Sequence, residues 1–165
     1  MPDWISHILI ALIIVELFNL KLKSLVLLGS ILPDFFFKIS TLGLFFNIPT
    51  TDIYWSLLPI HQPLGALFLT FIVMILFRFD YISTILLITI GWVTHFASDI
   101  LFKTFLINTQ AMLLFPFSWR SFNLNLLWGE KYYIILIITL IVYILVRLLK
   151  NYSNFSGLKL PFIKV

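Results

Sequence analysis

The sequence predicts an all-α protein set in a membrane, a polytopic helical bundle of about five apolar segments. Three observations point there. Of 165 residues, 61% are hydrophobic and 11% charged, against roughly a quarter charged in soluble domains. The 18 Phe cannot all be packed inside so small a globule, because small domains leave much of their surface exposed. Mean hydropathy is +1.08, and lipid is the solvent that suits such a surface.

Taken in chain order, Trp4 to Phe18 is apolar apart from His7 and Glu16. Ser24 to Phe37 is short and holds Gly29, Pro33 and Asp34. It spans a bilayer poorly, so the first two segments read as a hairpin, the second short enough to be re-entrant. Pro63 to Phe77 opens on a proline, where the missing N–H costs a helix little. Tyr81 to Phe105 carries His95, Asp99 and Lys103 in its last third. Tyr132 to Leu149 has a Tyr pair suited to an interface and a single charge, Arg147. Residues 1–150 form one membrane-embedded domain, followed by a polar tail, 151–165.

Charge placement orients these segments. With the C-terminus in the cytoplasm, Lys21, Lys23, Arg78, Arg147, Lys150, Lys159 and Lys164 fall inside, and Lys38, Lys103, Arg120 and Lys131 outside. A multi-pass cell-membrane protein with its N-terminus outside and C-terminus cytoplasmic is expected. The net charge of +4 comes from singly scattered Lys and Arg, so no nucleic-acid partner is expected; the bilayer is the expected partner. No basic residue precedes Lys21, which argues against a cleaved leader. With no Cys, disulfides and thiolate metal ligands are excluded.

Parity then brings five polar groups to one membrane face: His7, Asp34, His61, His95 and Asp99. His95 and Asp99 are four apart in GWVTHFASDIL, so they share a helix face. A carboxylate inside an apolar helix is costly and is usually paired or functional. Three His and two Asp without Cys suit zinc or another divalent ion. Plainer readings stand beside this one. His7 reads equally as an interface residue, Pro33-Asp34 as a helix stop, and His61, between Pro59 and Pro63, as a loop residue. Glu16 reads as a snorkelling or hairpin-capping charge. Asp52, Asp80 and Glu130 read as loop charges.

The ordered set SHILIAL, GSILPDF, PIHQPLGALF, THFASDIL and LLFPFS resembles the YdjM-like family of LexA-binding, inner membrane-associated metal-dependent hydrolases. That family is similar in turn to the zinc-dependent phospholipase C and single-strand nuclease superfamily. The resemblance implies metal-ligating roles for His7, Asp34, His61, His95 and Asp99. The chain departs from the family pattern at Phe36, where a second Asp is usual, at Ser56, where a His is common, and at Gln62, where a Ser is common.

The function expected from these residues is metal-dependent hydrolysis of a phosphoester in a lipid or other membrane-proximal molecule. Asp34 or Asp99 is the candidate general base. Arg120 is the candidate phosphate clamp, its alternative being a surface loop arginine. Two other functions fit the sequence: a catalytically degenerate membrane interaction protein, and a small ion transporter, which would need more polar groups in the inner half than Glu16 supplies.

Overall fold

The computed structural model describes residues 4–39, 46, 55–77, 80–101, 112–124, 126 and 132–156, and only the backbone at 36–39, 132 and 153–156. Five α-helices account for most of them: α1 (Trp4–Leu17), α2 (Lys23–Ile39), α3 (Pro63–Leu76), α4 (Tyr81–Leu101) and α5 (Tyr132–Ser156). A helical turn at 55–57 precedes α3. There is no β-strand among the described residues.

Local chemistry sets the helix ends. α1 closes on Asn19 in the left-handed region, φ 51°, while the Leu20 amide reaches back to the Val15 carbonyl at 3.1 Å. That is the Schellman arrangement, with Asn where Gly is usual. α3 starts on Pro63, after Gln62 in an extended conformation. Asp80 caps α4, accepting the Ser83 amide on Oδ2 at 2.9 Å. It is therefore a capping residue rather than only a loop charge.

The structure departs from the sequence reading in two helices. α2 runs through Pro33, which lies inside the helix, so Pro33-Asp34 is not a helix stop. The backbone bond that proline forfeits is outweighed by packing against α4, the most extensive helix pair in the fold. α5 continues past Leu149 to Ser156, into the stretch expected to be tail. Residues 157–165, Phe105, Lys103, Asp52 and Glu130 lie outside the described residues.

α2 and α4 cross with backbones almost touching. A methyl group at Gly91 would overlap the Val26 carbonyl oxygen and stand 2.7 Å from the Ser30 amide nitrogen. One at Gly29 would overlap the Ile88 carbonyl oxygen. Only glycine permits this approach. Around the crossing, Leu25, Leu32, Leu69, Val73 and Ile88 form one buried cluster, and Ala11, Val15 and Val26 a second.

Two helical stretches, Tyr81–Leu101 and Tyr133–Tyr152, are long and apolar enough to cross a membrane, and α1 and α3 are shorter apolar helices. The Tyr133–Tyr152 window is 0% buried. Its exposed Ile, Leu and Val side chains meet whatever surrounds the protein.

Glu16, 3% exposed, ties α5 to the hairpin of α1 and α2. It accepts hydrogen bonds from Lys23 at 2.7 Å and Lys150 at 2.8 Å, with Arg147 at 3.4 Å. Of the two roles expected from sequence, burial removes snorkelling, and the Lys23 bond across the α1–α2 turn agrees with hairpin capping.

Candidate metal centre

α1, α2, α4 and the turn before α3 each deliver polar side chains to one place. His7 comes from the first turns of α1, Asp34 from the later turns of α2, and His95 with Asp99 from the end of α4. His61 stands at the end of the turn before Pro63; Gly65 packs so closely on Pro59 and Ile60 that a methyl there would overlap the Pro59 carbonyl oxygen. All five side chains are buried: 1% exposed for His7, 0% for Asp34, 3% for His61, 0% for His95 and 5% for Asp99. Burial removes the reading of His7 as an interface residue, while His61 is a turn residue, as its prolines suggest, but one whose side chain is buried.

The donor atoms converge. His61 Nε2 lies 3.2 Å from Asp34 Oδ1, 3.3 Å from His95 Nε2 and 3.6 Å from Asp99 Oδ2. His95 Nε2 lies 3.3 Å from Asp99 Oδ2 and 3.9 Å from Asp34 Oδ1. An ion held tetrahedrally at ~2.0–2.1 Å separates its ligands by ~3.3–3.4 Å. The spacing of these four donors brackets that value. Asp99 turns its other oxygen to His7, with Oδ1 3.6 Å from Nε2. The His7 and His95 rings stack with centroids 4.0 Å apart. Two overlapping triads result, His7–His95–Asp99 and Asp34–His61–His95, each able to hold a metal ion.

Hydrogen bonds decide which ring nitrogens face the centre. His95 Nδ1 is 2.8 Å from the Ser30 carbonyl oxygen, which only accepts, so Nδ1 carries the proton and Nε2 presents its lone pair inward. Ser98 Oγ donates to the His95 carbonyl at 2.7 Å and stands 2.9 Å from His7 Nδ1. A hydroxyl has one proton, so Ser98 accepts from His7 Nδ1, and His7 Nε2 also carries a lone pair.

His7 Nε2 and both Asp99 oxygens are buried and make no hydrogen bond. Lone pairs facing carboxylate oxygens at 3.3–3.6 Å repel unless positive charge lies between them, and burying them unpaired costs several kcal/mol. Two buried carboxylates carry a charge that one divalent cation between these side chains would balance. The donor chemistry, spacing and unbonded atoms all fit a metal ion.

Of the sequence-named residues, Arg120 stands apart. It is exposed on the 112–124 segment, its amide donating to Ser118 Oγ at 3.2 Å, outside the contacts that join the five ligands. Ser56 is exposed on the 55–57 turn, and the Phe36 side chain lies outside the described residues. Sequence reasoning overlooked Ser30 and Ser98, which orient His95 and His7. It also missed the use of Gln62, 0% exposed, whose Oε1 accepts the Met112 amide at 2.7 Å. Ser98 left a faint signal, a small polar residue one turn beyond His95. The Ser30 carbonyl left none.

Comparison with family models, with curated proteins and with solved structures finds no match to this chain.

Proposed function

We propose that the chain is a multi-pass membrane protein that holds a divalent ion, zinc by donor chemistry, and hydrolyses a phosphoester of a membrane lipid. The observation that carries this reading is the convergence of His7, Asp34, His61, His95 and Asp99 in a buried cluster with ligand spacing. Its resemblance to the YdjM-like hydrolases supports the reaction class. An apolar cleft of about 310 Å³ between α2 and α3 supports a lipid substrate. It is lined by Leu28, Ile31, Leu32 and Phe35 on one side and by residues from Leu69 to Phe77 on the other, and Phe35 adjoins Asp34. The membrane reading rests on the two long apolar helices and on the bare apolar surface of α5.

A divalent ion here would lower the pKa of bound water and polarise a phosphoryl oxygen. His61, His95, Asp34 and Asp99 Oδ2 would hold it, and His7 would approach from the Asp99 Oδ1 side. Asp99 Oδ1, which makes no hydrogen bond, is the proton acceptor the centre offers. Asp34 is the second carboxylate and shares that candidacy. Ser30 and Ser98 keep both ring lone pairs aimed inward. Arg120 is the exposed cation suited to a phosphate. The N-outside, C-inside orientation is part of the same proposal.

Phe36 and Ser56, standing where relatives carry Asp and His, favour a second reading: a metal-binding interaction protein without catalysis. Metal analysis of detergent-purified protein, paired with phosphate or phospho-headgroup release from mixed phospholipid vesicles, separates the two. Zinc in the parent, lost in Asp99→Asn together with hydrolysis, supports the hydrolase. Zinc without hydrolysis supports the second reading, and a metal-free parent defeats both.

A further inference from the structure

The segment 112–124 returns across the end of the bundle where the candidate centre lies, and it is fastened at both ends beside metal ligands. At its start the Met112 amide donates to Gln62, the neighbour of His61. At its end the Leu124 amide donates to the Ile100 carbonyl at 2.8 Å, one residue past Asp99. The Leu126 amide then donates to the Leu101 carbonyl at 3.0 Å.

Between these ties the chain turns apolar side chains outward. Phe117 is 92% exposed, Leu114 67%, Trp119 62% and Phe122 52%. Burying a side chain of this size is worth about 1.5–3 kcal/mol, so leaving four in water is a large cost for so short a segment. Arg120 is its one charged residue.

The height of the segment follows from α4. Its 21 residues rise ~1.5 Å each, ~31 Å in all, which matches a hydrocarbon core of ~30 Å. Peptide groups bonded to Ile100 and Leu101, at one end of that span, therefore sit at the membrane–water boundary. Aromatic rings with an occasional arginine are the chemistry of that boundary.

We propose that residues 112–124 form an interfacial strap whose Phe117 and Trp119 enter the headgroup–acyl boundary of a phospholipid leaflet, with Arg120 against lipid phosphates. The strap holds the His/Asp centre at the level of those phosphates. The inference rests on the membrane reading above and is independent of whether the centre is catalytic.

The chain has no cysteine, so single labels are clean. Nitroxides are placed by Phe117→Cys, by Trp119→Cys as a second position should the first fail to fold, and by Leu140→Cys on α5. The proteins are reconstituted in phosphatidylcholine–phosphatidylglycerol vesicles, and accessibility to oxygen and to a water-soluble nickel chelate is measured. The strap and α5 labels should both collide freely with oxygen and be shielded from nickel several-fold relative to free label in buffer. A shielded α5 label with a strap label as open to nickel as free label would overturn the strap and leave the membrane reading standing. Both labels open to nickel would overturn the two together. Dipolar broadening at 117 would place a second copy of the chain on this surface and overturn the lipid assignment.

Discussion

Ser98 Oγ stands 2.9 Å from His7 Nδ1 while its own proton goes to the His95 carbonyl, so Ser98 fixes which nitrogen of His7 turns toward Asp99. Such orienting partners are typically worth 10–100-fold in metal affinity. If the proposed centre holds a divalent ion, Ser98→Ala should weaken its binding by about that factor, measured by competition with a chromophoric chelator. His95→Ala and Asp99→Asn remove a donor outright and should lose more. Equal affinity in all three would show that the ion, if bound, lies elsewhere.

The Gly91 crossing sets the distance between α2 and α4, and with it the bond from His95 Nδ1 to the Ser30 carbonyl. Gly91→Ala should force the helices apart, because the new methyl meets backbone atoms that cannot rotate away. Overpacking of this kind costs about 1–3 kcal/mol. Thermal unfolding in detergent should show a lowered Tm, and any rise in Tm that added metal gives the parent should shrink. A variant with unchanged Tm and unchanged zinc response would mean the crossing is looser than described.

Glu16 lies nine residues from His7 along α1, about 13 Å at ~1.5 Å per residue, at the other end of the bundle. Glu16→Gln removes the charge that gathers Lys23, Arg147 and Lys150. Hydrogen bonds to charged groups are worth about 1.5–3 kcal/mol each, but Lys23 and Arg147 are half exposed and contribute little. A net loss of about 1–2 kcal/mol is expected, chiefly through Lys150. Metal content should stay at the parent level. Loss of metal in this variant would tie the two ends of the bundle together in a way the contacts do not suggest.

Asp80 contributes a pH dependence at the start of α4. The Ser83 amide bonded to its carboxylate holds its pKa below the ordinary carboxylate value. The folded pKa is the lower one, so the cap's contribution is fully present above the unfolded value and is lost as pH falls through the folded value. In Asp80→Asn, which keeps a capping oxygen, the fall of Tm between neutral and acid pH should be shallower than in the parent. Parallel curves for the two proteins would remove Asp80 from the account.

The sequence alone determined the helical class and the candidate donors. In a chain with 7 acidic residues and 3 His, any such residue inside an apolar run stands out, since charge there demands a partner. Helix parity was enough to bring His7, Asp34, His61, His95 and Asp99 to one end. What parity could not supply is distance and direction. Only the tertiary structure decided that α2 runs through Pro33, because the glycine-to-glycine contact with α4 is a property of two packed helices and of neither alone. Parity also set Glu16 apart from the acids of the centre, and only the structure showed the three cations gathered on it. The Ser30 carbonyl's hold on His95 left no trace in the sequence, Ser98's on His7 only a faint one, and the bond between Gln62 and the Met112 amide none. A backbone carbonyl has no letter of its own, and a serine or glutamine gains its role from what another helix places 2.7–2.9 Å away.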